Sequence, residues 1–94
     1  MRRYRFTKPA QEDLESIIDY THGRWGVDQA NNYLDGLEKL AQTLADTPKL
    51  GRLYRDPLRL FSYEKHHLYF VEDLEGITIV RVLHAKMNPS FHIK

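Results

Sequence analysis

Residues able to do chemistry gather toward the C-terminal end of the chain: Arg81, His84, Lys86 and His92, with Arg52 and Arg59 upstream. These are group types that can cut RNA. Attack by a 2′-hydroxyl needs a base for its proton, cations for the developing charge and an acid for the departing 5′-oxygen. An imidazole titrates near neutrality and suits either proton role. The pattern stops short of a constellation, because no dense set of Lys, Arg, Glu and Tyr is legible. The same side chains, with Met87 among them, serve equally as a surface that grips another protein by charge and apolar contact. His66-His67 with His22 or His92 lack a carboxylate or cysteine at ligand spacing, so neither a metal nor any other cofactor is expected.

One stretch must position these residues: Ile77–Met87, ITIVRVLHAKM. Its β-branched residues Ile77, Ile79, Val80 and Val82 suit a pleated surface and lose rotamer freedom in a helix. A run that is apolar at odd and even positions reads as a strand covered on both faces. Strict alternation places Ile77, Ile79, Arg81 and Leu83 on one face. Thr78, Val80, Val82 and His84 fall on the other, toward any helices. By that placement His84 is a buried, hydrogen-bonded structural histidine. Arg81 reads either as half of an ion pair with Glu64, Glu72 or another acid, or as part of a partner surface.

The bulk numbers fit this scale. Ninety-four residues with a net charge of +1 and no cysteine make one small domain without disulfides or thiol chemistry. With 41% hydrophobic residues the chain is not disordered. No apolar run approaches a membrane span, and none follows the basic start as in a signal peptide, so a cytoplasmic setting is expected. The charge is uneven. Arg2, Arg3, Arg5 and Lys8 lead the chain without an acid, and Lys49, Arg52, Arg55, Arg59 and Lys65 form a second basic region. Such polarity suits an acidic protein or RNA, although most of these cations are expected to be simply solvated.

Taken in order, Tyr4–Thr7 reads as a short strand and Thr7 as the cap of a helix with Pro9 in its first turn. Leu14, Ile17, Ile18, Thr21 and Trp25 set the buried stripe, and Glu12, Asp13, Glu15 and Asp19 the solvated one. Gly23–Gly26 breaks that helix. A second helix carries Ala30, Tyr33, Leu34, Leu37, Leu40, Ala41 and Leu44 and ends near Pro48, with Trp25 and Tyr33 expected in the hairpin core. Residues 48–57 read as a basic loop. Strands then follow at 58–63, 67–72 and 77–84, joined by tight turns at Glu64-Lys65 and Asp73–Gly76. The resulting fold is α+β in the order β-α-α-β-β-β, an antiparallel sheet with a helical hairpin packed on one face.

Several segments in this order resemble the ParE toxins of the ParE/RelE superfamily of bacterial type II toxin–antitoxin modules. They are Tyr4-x-Phe-Thr-x-x-Ala10-x-x-Asp13-Leu14, then Arg24-Trp25-Gly26-x-x-Gln29-Ala30-x-x-Tyr33, then Pro48-x-x-Gly51-Arg52, and Ile79-Val80-Arg81-Val82-Leu83-His84-x-x-Met87. The resemblance covers nearly the whole chain. It implies the same β-α-α-β-β-β fold and a non-catalytic toxin that inhibits DNA gyrase and blocks replication. It also implies a small cognate antitoxin that wraps and neutralises the toxin, so that DNA is met only through the antitoxin or the gyrase complex. The alternative on this scaffold is a RelE- or YoeB-like ribosome-dependent mRNA endonuclease. Met87 stands about where those nucleases tend to carry a catalytic cation, which favours the gyrase reading. On it Arg81, Lys86, Met87 and His92 face the target, with Arg52 and Arg59 as secondary contacts, and the tail from Asn88 is the foremost candidate to engage it. The antitoxin is expected across Leu14, Ile18 and Leu37 and along a sheet edge.

Overall fold

The computed structural model describes residues 2–93. β1 (Arg3–Phe6) leads directly into α1 (Lys8–Trp25). Thr7 caps that helix, its hydroxyl oxygen accepting the Ala10 amide at 3.2 Å. Gly23 and Arg24 stay helical, and Gly26 alone breaks the chain, at a φ of +94° that favours glycine. α2 (Val27–Asp46) starts immediately after it, so one residue joins the two helices.

Residues 48–57 are more ordered than a loop. A single 3₁₀ turn at Pro48–Leu50 is followed by β2 (Arg52–Arg55). β2 is a short edge strand whose pairing with β3 slips between Leu53 and Arg55. That irregularity and its charged ends hide it from any period-2 reading. Then come β3 (Leu58–Tyr63), β4 (His66–Glu72) and β5 (Gly76–His84), and a second 3₁₀ turn at Pro89–Phe91. The five strands lie in the order β1-β5-β4-β3-β2. Pairing is antiparallel except for β1, which runs parallel to β5. Among the described residues no helix is long and apolar enough to cross a membrane.

The helical hairpin packs on one face of the sheet. Leu37, Ala41 and Leu44 of α2 and Ala10 of α1 meet Leu68, Phe70, Ile77, Ile79 and Val82, all essentially without exposure. Each large aliphatic or aromatic side chain so buried contributes about 1.5–3 kcal/mol. A second apolar cluster occupies the opposite face: Leu58, Leu60, Tyr69 and Leu83, bordered by Tyr54, Val71, Val80 and Ile93.

The central strand does not keep strict alternation. Tyr69 pairs with Arg81, but its neighbour Phe70 pairs with Ile79, which leaves Val80 as an extra residue. Such a bulge reverses the faces beyond it. Ile77 and Ile79 therefore lie under the helices, not on the open face, and Val80 lies on the open face, while Val82 and Leu83 fall as alternation places them. Trp25 also departs from expectation. It is 66% exposed at the end of α1, whereas Tyr33 is in the core as expected. The reason is position: Trp25 is the last residue of α1 before the Gly26 break, at the tip of the hairpin.

The Asp73–Gly76 turn is tied from both sides. Asp73 Oδ1 accepts the amides of Glu75 and Gly76 at 2.9 Å, and its Oδ2 accepts the Thr78 hydroxyl at 2.7 Å. Arg2 donates to the carbonyls of Ala45, Asp73 and Gly76, joining the end of α2 to this turn. Gly76 has a φ of +154°, and a Cβ there would run into the backbone of Arg3.

Candidate functional site

The site grows from a gap in the sheet. β1 ends at Phe6, opposite Ile79, so the rest of β5 has no strand on that side. Unpaired backbone groups there need other partners. The Thr7 amide donates to the Ile79 carbonyl at 3.0 Å, and its hydroxyl donates to the Val80 carbonyl at 2.9 Å. Asp13 of α1 accepts the Val82 amide at 3.0 Å. The same carboxylate accepts two bonds from Arg81, from Nε at 2.7 Å and from Nη2 at 2.8 Å.

This decides the structural role of Arg81. Its ion-pair partner is Asp13 on the helix, not Glu64 or Glu72 across the sheet. The bulge at Val80 and the end of β1 bring its side chain to α1. The remaining nitrogen, Nη1, donates to the His92 carbonyl at 3.1 Å. All three guanidinium nitrogens are thus engaged within the chain. Asp13 holds the arginine proton more tightly than usual, chiefly through its hydrogen bond. Asp13 was expected on the solvated stripe of α1, yet it lies three residues after Ala10 and four before Ile17. That spacing is the inward one, and it was the signal available in the sequence.

Beyond β5 the chain turns back over the open face. Asn88 Oδ1 accepts the Ser90 amide at 3.0 Å and the Ser90 hydroxyl at 2.7 Å. The amides of His92 and Ile93 both donate to the Pro89 carbonyl, at 3.0 and 2.8 Å. Ile93 packs against the Leu58–Leu83 cluster, while Phe91 is 81% exposed. Lys86 and His92 are exposed, and Met87 is 47% exposed.

Met87 also lines a groove of about 650 Å³ between the hairpin tip and the end of the sheet, with Tyr20, Trp25, Tyr33, His66 and His84. Here His84 is half-buried rather than enclosed. It does lie on the helix side, and its Nδ1 accepts the Lys86 amide at 3.1 Å. Its ring stands edge-on to His66, 5.6 Å away between centroids. The Tyr33 hydroxyl lies 3.2 Å from His66 Nδ1. Burial lowers the pKa of His66, and His84 and His67 add to that shift. His67, on the other face, is also lowered, first by burial and then by Arg52.

Arg52 and Arg59 sit apart from the tail, on β2 and β3. Arg52 is exposed, and Arg59 Nη1 donates to the Gly51 carbonyl at 2.7 Å. Of the expected antitoxin contacts, Leu14 and Ile18 line a shallow cleft of about 440 Å³ with Phe6 and Leu34. Leu37 does not join them. It has no exposure and offers no surface to a partner. Its place on the apolar stripe of α2 made it a core position, and the stripe alone could not separate core from contact.

Comparison with known proteins agrees with this architecture. Residues 4–89 match the model of a family described as the ParE toxin of a type II toxin–antitoxin system, parDE. A protein named Toxin ParE1 from Mycobacterium tuberculosis is 41% identical over 90 residues, covering 92% of each chain. A second Toxin ParE1, from Caulobacter vibrioides, is 32% identical over 97 residues, covering 99% of each. The fold matches a solved structure titled "Chromosomal ParDE TA system from P. aeruginosa" with a TM-score of 0.74 at 19% identity, covering 89% of this chain and 96% of that one.

Proposed function

The chain belongs to the ParE toxin family of type II toxin–antitoxin systems, and from that premise we propose that it inhibits DNA gyrase by binding and is neutralised by a cognate antitoxin. The observation that carries binding over catalysis is the make-up of the open sheet face, where the nuclease members of the superfamily cluster their catalytic groups. Here that face is built from Leu58, Leu60, Tyr69, Val80 and Leu83. Arg81, the cation of the central strand, is already engaged by Asp13 and the His92 carbonyl. Arg52 and His67 border the face, but they do not supply an acid, a base and free cations around one point.

In this reading Lys86, Met87 and His92 contact gyrase directly, with Arg52 and Arg59 as outlying basic contacts. Arg81 acts by holding the tail rather than by touching the target. The antitoxin covers the cleft at Leu14 and Ile18 and an edge strand of the sheet, since a disordered segment gains order by burying such a surface. The cytoplasm, where gyrase works, is the setting.

The test is a supercoiling assay with purified toxin, gyrase, ATP and relaxed plasmid, run beside a translating extract. Loss of supercoiling, with linear DNA after denaturation and protease digestion, is the expected result. Intact supercoiling together with codon-specific mRNA cuts would sink the reading and make Lys86 and His92 catalytic suspects.

A further inference from the structure

The tail is held more firmly than its exposure requires. An exposed segment beyond the last strand normally frays unless it is tied down. Residues 88–93 are folded on themselves by the Asn88 side chain on Ser90 and the paired amides on the Pro89 carbonyl, and they are held to the body by Arg81 on the His92 carbonyl and by Ile93 against the Leu58–Leu83 cluster. Arg81 is aimed by Asp13 through two short bonds. What this scaffold presents to water is Phe91, 81% exposed. An exposed aromatic ring with few rotamers on an ordered backbone loses little entropy when it enters a pocket.

From this geometry we propose that Asp13 is a positioning residue which, through Arg81, fixes the 88–93 knuckle so that Phe91 is the apolar anchor for the toxin's protein target. This rests on the reading above, that the toxin acts by binding. The charge around the anchor defines the pocket that fits it. No acid stands between Gly76 and Lys94, and Arg81 is neutralised by Asp13, which leaves Lys86 and Lys94 as the cations flanking the anchor in sequence. The matching site on the partner is an apolar cleft with an acidic border.

The experiment uses the full chain and measures two quantities in each of four proteins: wild type, Phe91→Ser, Asp13→Asn and the double variant. The first is affinity for immobilised gyrase. The second is amide hydrogen exchange at His92 and Ile93. Phe91→Ser is expected to weaken binding about tenfold or more with exchange unchanged, as for loss of a central anchor. Asp13→Asn is expected to speed exchange of both amides and to weaken binding. The double variant should bind no worse than Phe91→Ser, because the anchor is then already gone. A purely structural Asp13 would instead give additive losses. Because Asp13→Asn also bears on the fold, Arg81→Lys repeats the test with the charge kept and the fork lost. Unchanged binding by Phe91→Ser, or unchanged exchange in both Asp13→Asn and Arg81→Lys, overturns the proposal. Binding of wild type to DNA alone, abolished by Phe91→Ser, overturns it in favour of a nucleic-acid anchor. Failure of wild type to bind gyrase is a different result: it strikes the functional reading, and the exchange data still decide whether Asp13 orders the tail.

Discussion

Arg81 and Asp13 meet as two forks, with Nε on Oδ2 at 2.7 Å and Nη2 on Oδ1 at 2.8 Å, across the point where β1 gives out and α1 passes the edge of β5. The pair is mostly buried, its side chains 22% and 14% exposed, and Asp13 also holds the Val82 amide. Parallel bidentate bonds of this kind are both shorter and more directional than single contacts.

Asp13→Ala therefore leaves a guanidinium and a backbone amide without their partner. The expected cost is about 2–4 kcal/mol, slightly below that of breaking a fully buried pair because some water reaches this one. Urea unfolding followed by circular dichroism measures it. A change within about 0.5 kcal/mol would show that the pair is only a surface contact.

The histidines at the groove give a pH dependence. Burial, then His84 and His67, lowers the pKa of His66 below its ordinary 6.5. The unfolded chain then takes up a proton at His66 before the folded one does. Stability must fall as the pH drops through about 6.5, and level off below the folded pKa. His67 adds to the same trend with Arg52 beside it, while Tyr20, Arg24, Tyr33, Tyr63, Glu64, Lys65 and His84 line the groove with His66. The urea midpoint at pH 5 should lie below that at pH 7.5, and His66→Gln should flatten the slope. A midpoint that rises on acidification contradicts this account.

Asp73 works on the acid side. Its pKa is lowered first by the Thr78 hydroxyl, with the amides of Glu75 and Gly76 and the Arg5 side chain assisting. A depressed carboxylate stabilises the fold above its unfolded pKa and loses that contribution as the pH falls through its folded value. Thr78→Val should thus weaken the protein at neutral pH and leave it closer to wild type in the acid region, below about pH 4. Parallel curves for the two proteins across that range would exclude Asp73 as the titrating group.

Much of this architecture was legible in the chain. The cap at Thr7, the break near Gly26, the stripe of α2 and the two hairpin turns are local signals, and they give the order of every strand and α-helix except β2. The errors share a different cause. Ile77–Leu83 is apolar on both parities, so nothing in it marks Val80 as the bulge that turns Ile77 and Ile79 inward. The parallel pairing of β1 with β5 and the partners of Asp13 depend on residues far apart in sequence, although the inward spacing of Asp13 on α1 is a local signal. Helical phase turns Trp25 inward, but phase says which way a side chain points and not whether anything lies there to cover it.

The two kinds of apolar helix residue also separate by experiment. Leu37→Ala removes a side chain with no exposure from between α2 and the sheet, and should cost about 2–5 kcal/mol through lost transfer energy and the cavity left behind. Any effect of that variant on the antitoxin would follow from unfolding. Leu14 and Ile18 are only partly buried, beside Phe6 and Leu34 at the cleft. Ile18→Ser should cost the free toxin less than Leu37→Ala. Its affinity for an antitoxin segment, measured by titration calorimetry at a temperature where both variants are folded, should fall about tenfold or more if the cleft is a binding centre. Leu37→Ala at that temperature should bind as wild type does. The reverse pattern, with Ile18→Ser binding normally, would move the antitoxin off this cleft and make the aromatic groove at Trp25 and Tyr20 the next surface to test.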